Sequence, residues 1–468
     1  MALHGVVPGP ADSSHPCNGS LSSAFPLRRP RCGPLSMQRP IFVDIQRIVP
    51  GGRGMGLVDG KIAFAPLSVP GDQLEVLSWS DRKGYLDILK SRLVCPSPER
   101  VSPPCGYFGS CGGCDFQQMS GRRQLTAKRD ILVDALRRVG KIQVEASQIQ
   151  LHACETTAYR NRLQLKLLQA GREFSWGFYK IGSHEVCAVD SCLVASKALW
   201  KQQEILREQL AALPQIASRT DEVEVFSGDD QECLVTLALR DVSPGFDEMG
   251  SQLQSATEFL ASHGFHVSLL DSGGQYRRLC GKGFVWKTVG AFRYRVSHGA
   301  FFQVNDPMLP VLQTTATQNL SGAKALELFC GVGFFTLPLS RSFERLEVVE
   351  GNAAAVADLE ENLRSHQAES CRISDRDLSD ALRTGRYRPG QFDLLLIDPP
   401  RTGLPKAVVE AIARLNCRDV VYVSCDPATL ARDLKVFVAC KYELVTLDLL
   451  DLFPHTHHLE TIVRLRKA

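Results

Sequence analysis

The sequence predicts an α/β protein: a doubly wound parallel sheet at the carboxyl end, preceded by an OB-like β-barrel and a central α+β segment. Three observations carry this. Past residue 300 the strand-like runs KALELF, LEVVE, FDLLLID and DVVYVS alternate with helix-length segments, the pattern of βαβ units. From Ile41 to Val94 the runs IFVDIQRIV, KIAFAPL, VPGDQLEVLSW and YLDILKSRLV, with GGRGMG as a glycine-rich turn, suggest about five short strands. Finally, 468 residues are too many for one core, and roughly three domains are expected.

Residues 1–38 are rich in Pro, Ser and Gly without hydrophobic period and read as a disordered tail. The barrel is expected over 39–96, where Pro96 and Pro98 break the strand pattern. A central unit is expected over 97–299, containing a cysteine cluster and the helical run QLTAKRDILVDALRRVG. Its strand-like runs mix with helical ones, and their topology does not follow from pattern. The doubly wound unit takes 300–468, closing with two further strands, YELVTLDLLDLF and HLETIVRLR.

A hydrophobic content of 44% and a charged content of 22% are those of an ordinary globular protein. The net charge of +3 permits nucleic-acid binding without arguing for it, so any basic surface has to be local. No stretch reaches the roughly 18 apolar residues of a membrane span, and no cationic start precedes an apolar core. A cytoplasmic chain with reduced thiols is therefore expected, and clustered cysteines there suggest metal or catalysis. Nothing calls for an obligate oligomer, and a monomer is expected.

Four constellations bear chemistry. In DVVYVSCDPATLARD a strand delivers Cys425 to its carboxyl end, which in open α/β sheets faces the ligand crevice. A thiol there can be a nucleophile; the alternative is a buried, inert cysteine. In LELFCGVGFF, Gly331 and Gly333 allow close backbone approach to a ligand, while Thr336 takes the place of the third glycine of a dinucleotide fingerprint, which argues against NAD. Glu350 ends the next strand, 17 residues beyond Gly333, where a carboxylate accepts from a ribose diol. With Asp398 in LLLIDPPR, this resembles the S-adenosylmethionine site of class I (Rossmann-like) methyltransferases. Arg401 stands where amino-methyltransferases carry an aromatic ring, so that motif is incomplete.

CGYFGSCGGC sets Cys105, Cys111 and Cys114 within ten residues. Three thiolates need a fourth, and Cys95, Cys187 and Cys192 are candidates; zinc and an iron–sulfur cluster both take four cysteines. In FPHTHHLETIV, His455, His457 and His458 lack a spaced ligand set and argue weakly for metal. Glu460, 35 residues after Cys425, opens the last strand and can return to the same crevice.

Together HGAFFQVN, LELFCGVGFFTLPL, VVEG, IDPPRTG, VVYVSCDPATLARD and LDLFPHTHHLE closely resemble the RNA uracil-carbon-5 methyltransferases. CGYFGSCGGC followed by FQQMSGRRQLTAK is similar to their four-cysteine [4Fe-4S] site, and the 41–94 barrel resembles their RNA-binding TRAM domain. The resemblance covers residues 39–468. It implies Cys105, Cys111, Cys114 and Cys192 as cluster ligands and S-adenosylmethionine at Gln303, Phe329, Gly331, Gly333, Glu350 and Asp398, with Asp377 and Phe334 as weaker matches. Cys425 is then the nucleophile and Glu460 the general base. Glu327 stands where the family often has Asp, and Phe334 where some members have a polar residue.

The implied reaction is addition of Cys425 to carbon 6 of a uridine flipped out of RNA, methylation at carbon 5, and proton removal by Glu460. The barrel and cluster together favour a 23S rRNA uridine over the T-loop uridine of tRNA. The cluster itself is expected to be structural or RNA-orienting, since this reaction moves no electrons. A reading of a different class is an iron–sulfur RNA-binding factor with an inactive methyltransferase fold, which the intact set of Cys425, Glu460, Gln303 and Asp398 argues against. A cytosine-carbon-5 enzyme is a further rival, but those place the nucleophile after Pro or Thr, and here Ser424 precedes it.

Overall fold

The structure, a computed structural model, describes residues 40–170, 173–240, 250–374, 382 and 387–468. The expected tail over residues 1–38 and the candidate Asp377 lie outside the described residues. Among the described residues, no helix is long and apolar enough to cross a membrane.

The amino-terminal sheet has six strands, because IFVDIQRIV divides into Ile41–Asp44 and Arg47–Val49. Alternate residues of its strands, including Val43, Val58, Ala63, Leu74 and Ile88, fill a small core. Only half of GGRGMG is a turn. Gly51 and Gly52 take φ of +86° and +76°, whereas Gly54 and Gly56 lie inside the strand Arg53–Val58. A side chain on Gly56 would collide with the Asp44 carbonyl, and one on Gly54 with the Ser68 hydroxyl. Missing Cβ atoms thus let the sheet curl against its own first strand, in an OB-like half-barrel.

The central sheet has seven strands, in the order Val186–Ala188, Glu173–Tyr179, Arg162–Ala170, Thr220–Ser227, Cys233–Leu239, Phe265–Leu270, Tyr276–Cys280. Only the pair Cys233–Leu239 and Phe265–Leu270 is parallel. Alternate residues such as Leu163, Leu165, Val223, Val225, Val235 and Val267 bury themselves beneath the helices Lys197–Ala211 and Gly250–Ser262. The opposite alternates are mostly polar.

The carboxyl-terminal sheet has eight strands, in the order Cys371–Ser374, Phe343–Val349, Gly322–Leu328, Leu394–Ile397, Asp419–Ser424, Glu460–Lys467, Tyr442–Leu450, Ile149–His152. The first five are parallel, and Glu460–Lys467 is antiparallel to both neighbours. This is the doubly wound fold read from the sequence, with its switch point between Gly322–Leu328 and Leu394–Ile397. Asp419–Ser424 is buried along its whole length, as expected of a strand covered on both faces.

The division expected at residue 300 is crossed in three places. Ile149–His152 supplies the edge strand beside Tyr442–Leu450. The helix Gly121–Ala135 packs Leu132 and Ala135 among Leu430, Ala431 and Leu434 of the helix Pro427–Ala439. In the hairpin Phe284–Val289 and Phe292–Ser297, the Ser297 amide donates to Asp358 at 2.6 Å and the Arg295 amide to Asn362 at 2.7 Å.

These units meet at the loop before the last strand. Lys128, fully buried, holds Asp451 at 2.6 Å and also donates to the Phe453 carbonyl at 3.0 Å. Asn305 donates to the Leu452 carbonyl at 2.8 Å, Tyr159 to that of Pro454 at 3.0 Å, and the amides of Asp115 and Phe116 to that of His455 at 3.0 Å each. Burial pushes the Lys128 ammonium below its ordinary range, and Asp451 opposes that.

Breaking this pair leaves an uncompensated buried charge, so Lys128→Met is expected to cost about 3–5 kcal/mol in urea unfolding. Adding Asp451→Leu should recover most of that loss. Equal losses in the single and double variants would mean that the pair is not what holds the loop.

Candidate active site

The crevice begins where Gly322–Leu328 ends. Phe329 has φ of +62°, an uncommon conformation for a residue with a side chain, and its amide donates to the Val349 carbonyl at 2.9 Å. Gly331 follows at φ +55° and Gly333 at +93°; nothing lies within 4 Å of a Cβ built on Gly331, whereas one on Gly333 would come 2.7 Å from Leu359 of the helix Ala353–Ser365. Gly331 therefore serves the turn, and Gly333 both the turn and close helix packing.

Glu350 is held rigidly over this turn. One carboxylate oxygen accepts from the Gly331 amide at 2.9 Å, and the other from Gly351 and Asn352 at 2.8 and 2.7 Å. Asn352 then donates to the Gly299 carbonyl at 3.2 Å, which ties the HGAFFQ loop to the same corner. Gln303 is buried on that loop, its carbonyl accepting from Asn161 at 3.1 Å. Phe334 turns inward: its ring packs on Phe302 and Tyr294, and its carbonyl accepts from Tyr294 at 3.1 Å and Gln313 at 2.8 Å.

Three acids share the crevice floor with Glu350. Burial pushes Asp398 up to about 7. Burial likewise pushes Glu327 up to about 8, against the Thr336 hydroxyl bound at 2.8 Å. Glu460 is raised well above the ordinary carboxylate range by burial and then by Asp398, with Arg401 opposing.

Cys425 and Glu460 come close at the ends of adjacent strands. The strands Asp419–Ser424 and Glu460–Lys467 are antiparallel with Ser424 opposite Thr461, so Cys425, the residue after one strand, and Glu460, the first of the other, lie at the same end of the pair. Asp426 fixes the turn, its carboxylate accepting from the amides of Ala428 at 3.0 Å and Thr429 at 2.7 Å as it caps the helix Pro427–Ala439. Burial pushes the Cys425 thiol up to about 12, the Glu460 charge adds to this, and Arg401 opposes it by charge and hydrogen bonding. Arg401 was missed as a site residue when read only as a failed aromatic position. Its signal was present: DPPR ends the strand carrying Asp398, and its fourth residue reaches over the same crevice.

Cys105, Cys111, Cys114 and Cys192 line one pocket, with Gln117, Arg160 and Phe178. The Cys105 amide donates to Gln117 at 3.1 Å, and the Gly112 amide to the Tyr179 carbonyl at 2.8 Å. Burial pushes Cys111 up to about 11 and Cys114 up to about 12, and the neighbouring sulfurs add to both shifts. Of the other candidates, Cys95 ends a barrel strand exposed, and Cys187 sits on the strand Val186–Ala188 outside the pocket lining. Among the described residues, no three His, Cys, Asp or Glu side chains stand close enough to hold a single metal ion.

The histidines diverge. His457 pairs with Asp115, and His455 lies 3.1 Å from Gln124. Burial, helped by His457 and Arg401, pushes His458 down to about 2. Arg160, which lines the cysteine pocket, also reaches His458 with its charge.

Residues 121–468 match the family described as tRNA (uracil-5-)-methyltransferase. The chain is 33% identical over 436 residues to the 23S rRNA (uracil(1939)-C(5))-methyltransferase RlmD of Pseudomonas putida, covering 90% of this chain and 92% of that one. It is 31% identical over 435 residues to an uncharacterized RNA methyltransferase of Aquifex aeolicus, covering 91% and 98%. A crystal structure of Pyrococcus abyssi tRNA (uracil-54, C5)-methyltransferase with S-adenosyl-L-homocysteine shares the fold, with a TM-score of 0.69 at 22% identity over 90% of this chain and all of that one. The chain thus belongs to the RNA (uracil-5-)-methyltransferase family.

Proposed function

We propose that the protein methylates carbon 5 of a uridine in 23S rRNA, using S-adenosylmethionine as donor. The observation that carries this reading is that Cys425 and Glu460 lie at the adjoining ends of adjacent strands, close enough for the Glu460 charge to act on the thiol, with a glycine turn clasped by Glu350 at the end of a strand in the same sheet. The name of the Pseudomonas putida relative supports rRNA as substrate. A tRNA uridine is the second reading, favoured by the family description and by the name of the structural relative.

The residues fit the donor. Glu350 accepts three amide bonds and keeps about one acceptor site for a ribose hydroxyl. Phe329 opens the same turn, and Gln303, buried, and Asp398, half-buried, lie on loops at the sheet's end. When bound, the donor supplies a sulfonium methyl group. Cys425 adds as thiolate to carbon 6 of the uracil, which converts carbon 5 into an enolate carbon. After methylation, Glu460 takes the proton left on carbon 5, and elimination expels Cys425. Arg401 opposes the cost of forming the thiolate in a buried place, and the amino end of the helix Pro427–Ala439 adds to that.

The four-cysteine pocket fits a [4Fe-4S] cluster held by Cys105, Cys111, Cys114 and Cys192. Four half-buried thiols, whose thiolate charges would repel one another, line one pocket, as suits a cationic guest. Around one zinc ion the sulfurs converge to about 2.3 Å from the metal, whereas a cube of iron and sulfide holds them farther apart. The resemblance of the cysteine segment and the four cysteines lining one pocket support the cluster. It would fix the fold of this segment beside Arg160, and the barrel would act as a TRAM-like RNA-binding unit.

Cys425→Ala should form no covalent RNA adduct. Glu460→Gln should accumulate a methylated adduct visible on denaturing gels, with turnover down about 100-fold or more. Wild-type turnover by Cys425→Ala would sink the mechanism.

The raised Glu460 and Cys425 are both protonated, and inactive in these roles, at low pH. The kcat/KM for RNA should therefore rise with pH through the neutral range and keep rising towards the Cys425 value of about 12, and a profile that falls as pH rises above neutral would contradict the assignments.

Protein prepared without oxygen should carry about four iron and four sulfide per chain, and Cys114→Ala should lose them. Stoichiometric zinc instead would exclude the cluster. Mapping 5-methyluridine in rRNA and tRNA of a strain lacking this gene decides between the two substrates.

A further inference from the structure

We propose that the helix-free face of the central sheet, at its Tyr276–Cys280 edge, holds the RNA strand entering the crevice, with Tyr276 as a stacking platform and Arg278 as a phosphate contact. The proposal rests on the RNA reading above and extends it to a surface which that reading does not use.

The sheet is two-faced. Leu163, Leu165, Val223, Val235 and Leu269 point to the helices, and their alternates Gln164, Lys166, Glu224, Thr236 and Ser268 point away. Tyr276 lies opposite Leu270 and Arg278 opposite Ser268, so both side chains stand on the helix-free face. Tyr276–Cys280 is the terminal strand of its sheet, and its first three residues are exposed, Tyr276 by 44%.

This edge adjoins the crevice. The Tyr276 ring lies against Gly299, where a Cβ would come within 3.3 Å of it, and its centroid is 5.8 Å from that of His298. The Gly299 carbonyl accepts from Asn352, whose amide in turn binds Glu350. Two hydrogen bonds therefore connect the tyrosine's support to the donor corner. Phe301, 47% exposed on the same loop, lies between Tyr276 and Gln303 in the chain path.

The local charge suits a polyanion. Arg278 is exposed on this face, and its aliphatic stem passes over Gly283. The nearby acids are already engaged. Asp271 accepts from the amides of Gly273 and Gln275 at 2.9 Å each. Glu232 pairs with Lys282 at 2.6 Å, and Glu224, which faces Tyr276, accepts from Gln164 at 3.1 Å and lies 3.5 Å from Arg162. An exposed ring with a guanidinium on one strand face is the arrangement by which sheets hold single-stranded RNA: bases stack and phosphates pair. A protein partner would not account for the continuity with the donor corner.

The test measures binding of unmodified 23S rRNA and tRNA transcripts by the full-length protein at several salt concentrations, beside S-adenosylmethionine binding. Tyr276→Ala should weaken binding of the methylated transcript about tenfold and raise its KM similarly, whereas Tyr276→Phe should bind as wild type. Arg278→Gln should lower the slope of log Kd against log salt by about 0.7–0.9. S-adenosylmethionine affinity should stay unchanged in all three. Transcript binding within about twofold of wild type in both Tyr276→Ala and Arg278→Gln overturns the proposal. Wild-type protein that methylates neither transcript overturns the reaction reading instead, and the binding comparison still decides the surface.

Discussion

The segment from Asp451 to His455 must satisfy its carbonyls away from water, and four separate parts of the chain supply the donors. Asn305 comes from the loop that carries Gln303, Lys128 from the helix after the cysteine cluster, Tyr159 from the start of the central sheet, and the amides of Asp115 and Phe116 from the cluster segment itself. A buried acceptor without a partner costs free energy, so these contacts are obligatory rather than decorative. Five residues later the chain reaches Glu460. Its placement near Cys425 therefore depends on the packing of the units around this one loop.

The crevice is electrostatically expensive. Glu327, Asp398 and Glu460 are all pushed towards their neutral forms, mainly by burial, and the thiol of Cys425 is pushed the same way. Such shifts are where acid–base chemistry is found, because groups are held close to the protonation change that they must make. Arg401 acts on both Cys425 and Glu460, and it is exposed. A sulfonium donor brought into this crevice would add positive charge, to which the acids are complementary.

Some of this was legible from residues alone and some was not. The alternation of strands and helices past residue 300 is local in period, so the doubly wound sheet could be read directly, as could the strand-end positions of Glu350, Asp398 and Cys425. GGRGMG was misread in part, because a glycine demanded by close approach of another strand looks like a glycine demanded by a turn. The contacts that cross residue 300 were not legible for a related reason. Ile149–His152 and the helix Gly121–Ala135 carry ordinary amphipathic patterns, and pattern does not say which sheet buries them. Arg401 was passed over because its role comes from what it faces, not from its neighbours in sequence.

By itself the sequence determined the element types, the placing of chemical groups at strand ends, and a set of motifs specific enough to name a family. These depend on short-range periodicity and on residue chemistry, which a linear chain carries in full. The tertiary structure brought the strand ends of Cys425 and Glu460 together, lined the cysteine pocket with the Cys192 that the resemblance implied, with Cys187 near enough to act on Cys111, and set Tyr276 beside the loop tied to Glu350. Each of these is a contact between residues far apart in the chain. They are set by strand register and by the pairing of buried polar groups, and neither leaves a periodic trace in the sequence.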